Sequence, residues 1–294
     1  MVALMLAMPA FSDNSSAAPG VTLTVGNPIL FQSDNLSHPE WRILYDVDNP
    51  YGAEINLTEI DMTAVNYITI SMYWLSEYDT GWDMIAKPAW YSIADDYGDG
   101  EVEIRRSNFI NTNDWNVTTH IMFDSSGTGT LLGASVVVYG YSEYATIQSA
   151  LDVANTGDTI YVLYGWYPEV LNADISIDII GLEAEIWMQG GTLNVDTINV
   201  GYMTLDASNL IADTIIVVDT LAIRGTSIVT CDSIEANAIQ MIQQSYLIAN
   251  TISVNLLRMQ QTSNVTANET VTTELVMSDT TILTTQNLNL LILK

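Results

Sequence analysis

Hydrophobic and polar positions recur together with a period of about 18 residues from Leu193 onward. Segments beginning at Leu193, Leu210, Ile228, Leu247 and Val265 align into columns. Val195, Ala212, Cys231, Ala249 and Ala267 form a small apolar column, followed by Asp196, Asp213, Asp232, Asn250 and Asn268. Thr197, Thr214, Ser233, Thr251 and Glu269 come next, then Ile198, Ile215, Ile234, Ile252 and Thr270. A repeat of this length predicts stacked units that share one elongated core, because a single unit cannot bury its own apolar face. Such a solenoid offers repeated surface and two ends, which suit binding and assembly.

The preceding half is patterned differently. Runs such as Val21-Thr22-Leu23-Thr24-Val25 and Tyr67-Ile68-Thr69-Ile70-Ser71-Met72-Tyr73 alternate with a period of two and are separated by Asn, Gly, Pro and Asp turns. They predict an all-β domain over residues 21–140, a jelly-roll-like β-sandwich closed by Val136-Val137-Val138. A parallel β-helix follows over 141–294, with repeats over 193–294. A short helix at about 146–154 presents Ile147, Ala150, Leu151 and Ala154 on one face. Residues 1–20 read as a signal-like leader, apolar from Val2 to Phe11 and then small up to Pro19-Gly20, without a basic start. Export to the cell surface is the expectation. No later stretch is long and apolar enough to predict a transmembrane anchor.

The start of the second domain resembles right-handed parallel β-helix proteins of the pectin-lyase-like and NosD-like group. The resemblance rests on Tyr144-Ala145-Thr146-Ile147-Gln148-Ser149-Ala150-Leu151-Asp152, Gly157-Asp158-Thr159-Ile160-Tyr161-Val162, Gly165-Trp166-Tyr167-Pro168-Glu169 and Ile175-Ser176-Ile177-Asp178-Ile179-Ile180-Gly181. It implies an amphipathic helix plugging the solenoid and a Gly-Asp turn launching its first strand. Trp166 stands where that group usually has threonine, and the rungs are shorter than in many enzymatic members. A left-handed hexapeptide solenoid also accommodates 18-residue rungs, but the regular six-residue apolar spacing is missing.

Charge narrows the partners. The chain has 35 Asp and Glu against 7 Lys and Arg, for a formal charge of −28. No basic patch exists to neutralise phosphates, so nucleic acid is excluded and an anionic membrane surface disfavoured. Divalent cations and uncharged or cationic polymers stay compatible. Cys231 is the single cysteine, so no intrachain disulfide forms, and its column predicts a core position.

Calcium is the one cofactor the acidic residues suggest. Asp196, Asp213 and Asp232 would stack at about 4.8 Å, either as a solvated turn ladder visiting the left-handed region or as carboxylate ligands between rungs, with Asn250 and Asn268 relieving the repulsion in later rungs and allowing amide ladders. Asp95 and Asp99, within Asp95-Asp96-Tyr97-Gly98-Asp99-Gly100-Glu101, form a second candidate in an expected acidic turn, although the twelfth position is Arg106 rather than a bidentate acid. Tyr78 and Trp82, in an expected loop, are candidate glycan contacts. Trp41, Trp74, Trp90 and Trp115 read as core. Sequons begin at Asn14, Asn35, Asn56, Asn116, Asn264 and Asn268 and permit glycosylation.

Catalysis finds little support. The solenoid carries Arg224, Arg258 and Lys294 as its basic groups, and both His38 and His120 precede it. No nucleophile motif, zinc spacing or phosphate loop is present. The final segment, with Leu288, Leu290, Ile292 and Lys294, reads as an uncapped strand able to pair with another copy. The expectation is a structural, self-assembling extracellular protein, used in a surface layer, sheath or adhesin stalk. The acidic, lysine-poor composition is similar to that of archaeal surface and sheath proteins. The competing expectation is a secreted carbohydrate-binding or polysaccharide-degrading β-helix, with cell-surface glycans as partners.

Overall fold

The computed structural model describes residues 20–46, 49–75, 81–87, 91–97, 100–125 and 129–293. The chain is all-β and divides into two compact units, Thr24–Ala145 and a second that joins residues up to Leu23 to Thr146 onward.

Strand β1 (Thr22–Val25) comes first. The Thr24–Ala145 unit then has β2 (Ile29–Ser33), β3 (Trp41–Asp46), β4 (Asn49–Asn56), β5 (Val65–Leu75), β6 (Gly81–Lys87), β7 (Tyr91–Tyr97) and β8 (Gly100–Arg105). Helix α1 (Thr112–Asn116), β9 (His120–Ser125) and β10 (Thr130–Gly140) complete it. Two antiparallel sheets form, in the orders β2-β10-β5-β8 and β3-β4-β9-β6-β7. Alternation puts Ile68, Ile70 and Met72 of one sheet and Ile55, Met84 and Phe123 of the other into a common core. Trp41, Trp74 and Trp115 are buried in it, and the Trp115 indole donates to the Met62 carbonyl at 3.0 Å. Buried indoles persist where the N–H finds such a partner.

The second unit opens with α2 (Ile147–Leu151), capped by Thr146. It is shorter than the expected 146–154, because the chain turns after Asp152. Strands β11 (Thr159–Val162), β12 (Gly165–Glu169), β13 (Ala173–Asp174) and β14 (Asp178–Gln189) begin a parallel stack. It continues through β15 (Thr192–Asp206), β16 (Asn209–Arg224), β17 (Ile228–Met241), β18 (Tyr246–Met259), β19 (Asn264–Met277) and β20 (Ile282–Leu293), making a solenoid of about seven turns.

The register follows the sequence columns. Val195, Ala212, Cys231, Ala249 and Ala267 lie opposite one another in successive rungs, as do Ile198, Ile215, Ile234, Ile252 and Thr270. One column differs from expectation: Val229, not Ile228, lies opposite Leu210 and points inward, while Ile228 is exposed. Within each rung most buried positions alternate with exposed ones, as at Leu210, Ala212, Ile215 and Val217 of β16. Burying such a Leu, Ile or Val contributes about 1.5–3 kcal/mol, so the interior columns supply the main stabilisation.

The corners carry the second correction. The Asp196–Asp213–Asp232 column does not enter the left-handed region. That conformation belongs to the last corner, at Ala207, Gly225, Gln243, Gln261 and Asp279, with φ of 50°, 64°, 67°, 60° and 62°. A buried serine follows each of the first four, namely Ser208, Ser227, Ser245 and Ser263. Ser208 Oγ donates to the Met188 carbonyl at 2.9 Å, which stitches one rung to the one before it.

Candidate functional site

The aspartate corner forms a ladder of amides rather than of carboxylates alone. Gln286 Nε2 donates to Asn268 Oδ1 at 3.1 Å, Asn268 Nδ2 to Asn250 Oδ1 at 3.0 Å, and Asn250 Nδ2 to Asp232 Oδ1 at 2.8 Å. All donate in the same direction, and a carboxylate receives the last bond, so each bond polarises the next. Asp213 is exposed, and Asp196 accepts from Ser176 Oγ. Among the described residues no group of three His, Cys, Asp or Glu side chains converges as a metal site. A second amide pair, Asn255 Nδ2 to Asn237 Oδ1 at 3.0 Å, lies beside a groove of about 750 Å³ that reaches from Val218 to Leu291.

The two ends of the solenoid are unlike. At the first, α2 buries Ile147, Ala150 and Leu151 over the opening turn. The Glu169 carboxylate holds it there by accepting from the Ile147 and Gln148 amides, both at 2.9 Å. Asp158 accepts from the Val21 and Asn155 amides, both at 2.7 Å, and the Thr159 amide donates to the Val21 carbonyl at 2.9 Å. Those amides hold the Asp158 carboxyl below its ordinary range, with the Asn155 contact the larger cause. At the far end β20 pairs with β19 on one side, and its other edge has no partner among the described residues. Leu288 lies opposite Thr270 and Leu290 opposite Thr272. Leu288 is 45% exposed and Leu291 76%. Ile292 lies opposite Glu274, and Lys294 falls outside the described residues.

The early rungs carry an aromatic shelf that no motif announced. Trp166 lies opposite Glu185, and Glu185 opposite Tyr202, so the three occupy one column of successive rungs. Trp187 stands in the neighbouring column, its ring centroid 6.0 Å from that of Trp166. Two clefts flank this column. One, of about 430 Å³, is bordered by Tyr164, Glu183 and Asp219; the other, of about 400 Å³, by Trp187, Thr204 and Arg224. Trp166 is 58% exposed. The Trp187 Nε1 donor is buried and has no hydrogen-bond partner among the described residues.

Sequence reasoning also missed an ion cluster in the first unit. Glu54 is buried on the face of the five-stranded sheet opposite Ile55, where it meets Lys87 and, at 3.2 Å, Arg42 Nε. With Glu40, Asn56 and His120 they line a cleft of about 420 Å³. Residues 42, 54, 87 and 120 come from four strands with no shared spacing, so only folding assembles them.

The remaining expected sites scatter. Asp95 lies on β7 opposite Asp83 of β6, not in a turn. Trp82 lies on β6 opposite Asp96, not in a loop. The strands simply run further than the polar residues suggested. Tyr78, Trp90, Asp99 and Asn14 fall outside the described residues. Asn35, Asn56 and Asn116 are exposed, Asn264 is half-buried, and Asn268 is engaged in the amide ladder. Arg224 and Arg258 follow the buried Ile223 and Leu257 but occupy different columns, opposite Asp206 and Gln240. Cys231 is buried, and its burial, with Asp232 beside it, pushes the thiol up to about 12. No helix among the described residues is long and apolar enough to cross a membrane. No protein-family model, curated protein or solved structure gives a significant match to the chain.

Proposed function

We propose that this protein is a structural, self-associating component of a cell surface, exported and assembled through the edge of β20. The observation that carries this reading is the unlike pair of ends: α2 and residues 21–23 cover the first turn, whereas the outer edge of β20 has no partner among the described residues and lies beside exposed Leu288 and Leu291. A row of unpaired N–H and C=O groups beside apolar side chains is a template for strand addition. Because the first end is covered, a second copy is met edge to edge through β20, and the first product is a two-fold dimer. Larger layers or sheaths then need lateral contacts, for which the groove from Val218 to Leu291 offers repeated surface.

Sedimentation velocity and negative-stain electron microscopy of the full chain test this, beside a variant carrying Leu288→Lys and Leu291→Lys. Concentration-dependent dimers or larger arrays that the double variant abolishes are expected. A full-length protein that stays monomeric across protein, salt and calcium concentrations overturns the reading.

A further inference from the structure

We propose that the shelf of Trp166, Glu185, Trp187 and Tyr202 binds the apolar face of an extended neutral glycan. Trp166 and Tyr202 share a column but sit two rungs apart, about 9.6 Å at the spacing of paired strands. An extended β-linked glycan advances by about half that distance per sugar, so alternate sugars fall on the two rings. Between them lies Glu185, a carboxylate able to accept from the hydroxyls of the intervening sugar. Exposed aromatic rings suit this task because a pyranose has one face of C–H groups and a rim of hydroxyls, matching an apolar plane with polar neighbours.

The rim supplies the rest. Arg224 and Thr204 border one cleft and offer donors, while Glu183 and Asp219 border the other and offer acceptors. Both clefts, about 400 and 430 Å³, fall within the usual range for ligand pockets. The Trp187 indole N–H, without a hydrogen-bond partner among the described residues, belongs to a ring packed 6.0 Å from the exposed Trp166 ring. Charge selects against an acidic polymer: three carboxylates and one guanidinium border the shelf, and the whole chain carries −28. The shelf lies in the first rungs and the assembly edge in the last, so glycan binding and self-association are separate measurements.

Calorimetric titration of the full chain with cellohexaose, xylohexaose, mannohexaose and hexagalacturonate tests the proposal. At least one neutral hexasaccharide is expected to bind with sub-millimolar affinity, and Trp166→Ala and Tyr202→Ala are each expected to weaken it by about tenfold. Trp166→Ala should keep the parental unfolding midpoint, since Trp166 is mostly exposed, and far-ultraviolet circular dichroism confirms the fold of Tyr202→Ala, whose ring is half-buried. Absence of binding by every neutral probe at millimolar concentration overturns the proposal. So does binding that both variants leave unchanged, or a preference for hexagalacturonate. The Leu288→Lys, Leu291→Lys protein should bind the same sugar unchanged; loss of binding there would tie the site to assembly and overturn its independence.

Discussion

Glu169 and Ile147 are joined by a hydrogen bond of 2.9 Å from the helix amide to the carboxylate, and the neighbouring Gln148 amide donates to the other oxygen at the same distance. One side chain from the first turn thereby satisfies two amides that a short helix cannot satisfy internally. Glu169→Ala is expected to lower the stability of the solenoid unit by about 1–2 kcal/mol. Glu169→Gln, which keeps one acceptor, should lose less. Urea unfolding followed by far-ultraviolet circular dichroism measures both.

Thr270 sits where the four rungs before it have isoleucine, and its buried hydroxyl has no hydrogen-bond partner among the described residues. Replacing that hydroxyl by a methyl in Thr270→Val removes an unmet polar group at nearly constant volume. A gain of about 1 kcal/mol is expected. A lower denaturation midpoint in the variant would show that the hydroxyl finds a partner in solution.

Asp158 gives a pH signature. Its folded carboxyl lies below the ordinary 3.8 because the Asn155 and Val21 amides stabilise the ionised form. Its contribution is complete above the unfolded value and disappears as pH falls through the folded one. Asp158→Asn should therefore be less stable than the parent at pH 6, with the gap closing below 3.8. Thermal melts from pH 6 to 2 in matched salt decide this, read as the difference between the two proteins. A gap that is constant across that range counts against the assignment.

Cys231 works at the opposite limb. Its thiol rises from 9.0 to about 12 through burial and the adjacent Asp232. The neutral thiol is favoured by folding, so its contribution is present below pH 9 and lost between 9 and about 12. Iodoacetamide at pH 8 is expected to leave the folded protein unmodified and to label it in denaturant, as mass spectrometry would show. Cys231→Ala should lack the extra loss of stability on the alkaline side.

The Glu54 cluster predicts an asymmetry. Lys87→Met leaves a buried carboxylate facing only Arg42 and should cost about 3 kcal/mol. A double replacement, Glu54→Leu with Lys87→Met, should recover much of that loss, because no buried charge is left alone. Chemical denaturation of the single and double variants gives the comparison.

Interior columns were readable from the sequence because stacking in register forces the same chemistry on every rung. Val195, Ala212, Cys231, Ala249 and Ala267 share a size because they share a place, and the small apolar column needed no structure to be found. The left-handed corner was not readable. Ala207, Gly225, Gln243, Gln261 and Asp279 adopt one conformation with four residue types, since the rungs on either side hold the backbone there and the residue type matters little. The serine column at Ser208, Ser227, Ser245 and Ser263 did carry a periodic signal, hidden among abundant polar residues. The aromatic shelf carried none. Trp166, Trp187 and Tyr202 come from three rungs of unequal length, and only the register aligns them with Glu185.

Thr270 and the buried Thr272 make the interior of β19 more polar than that of the rungs before it. In a stack where each layer leans only on its neighbours, strength is set locally. A load drawn along the axis through β20 would meet this more polar layer before the more apolar ones. The molecule would then yield from one end in order, like a fuse, and keep its capped first turns and their aromatic shelf intact while the last rungs gave way.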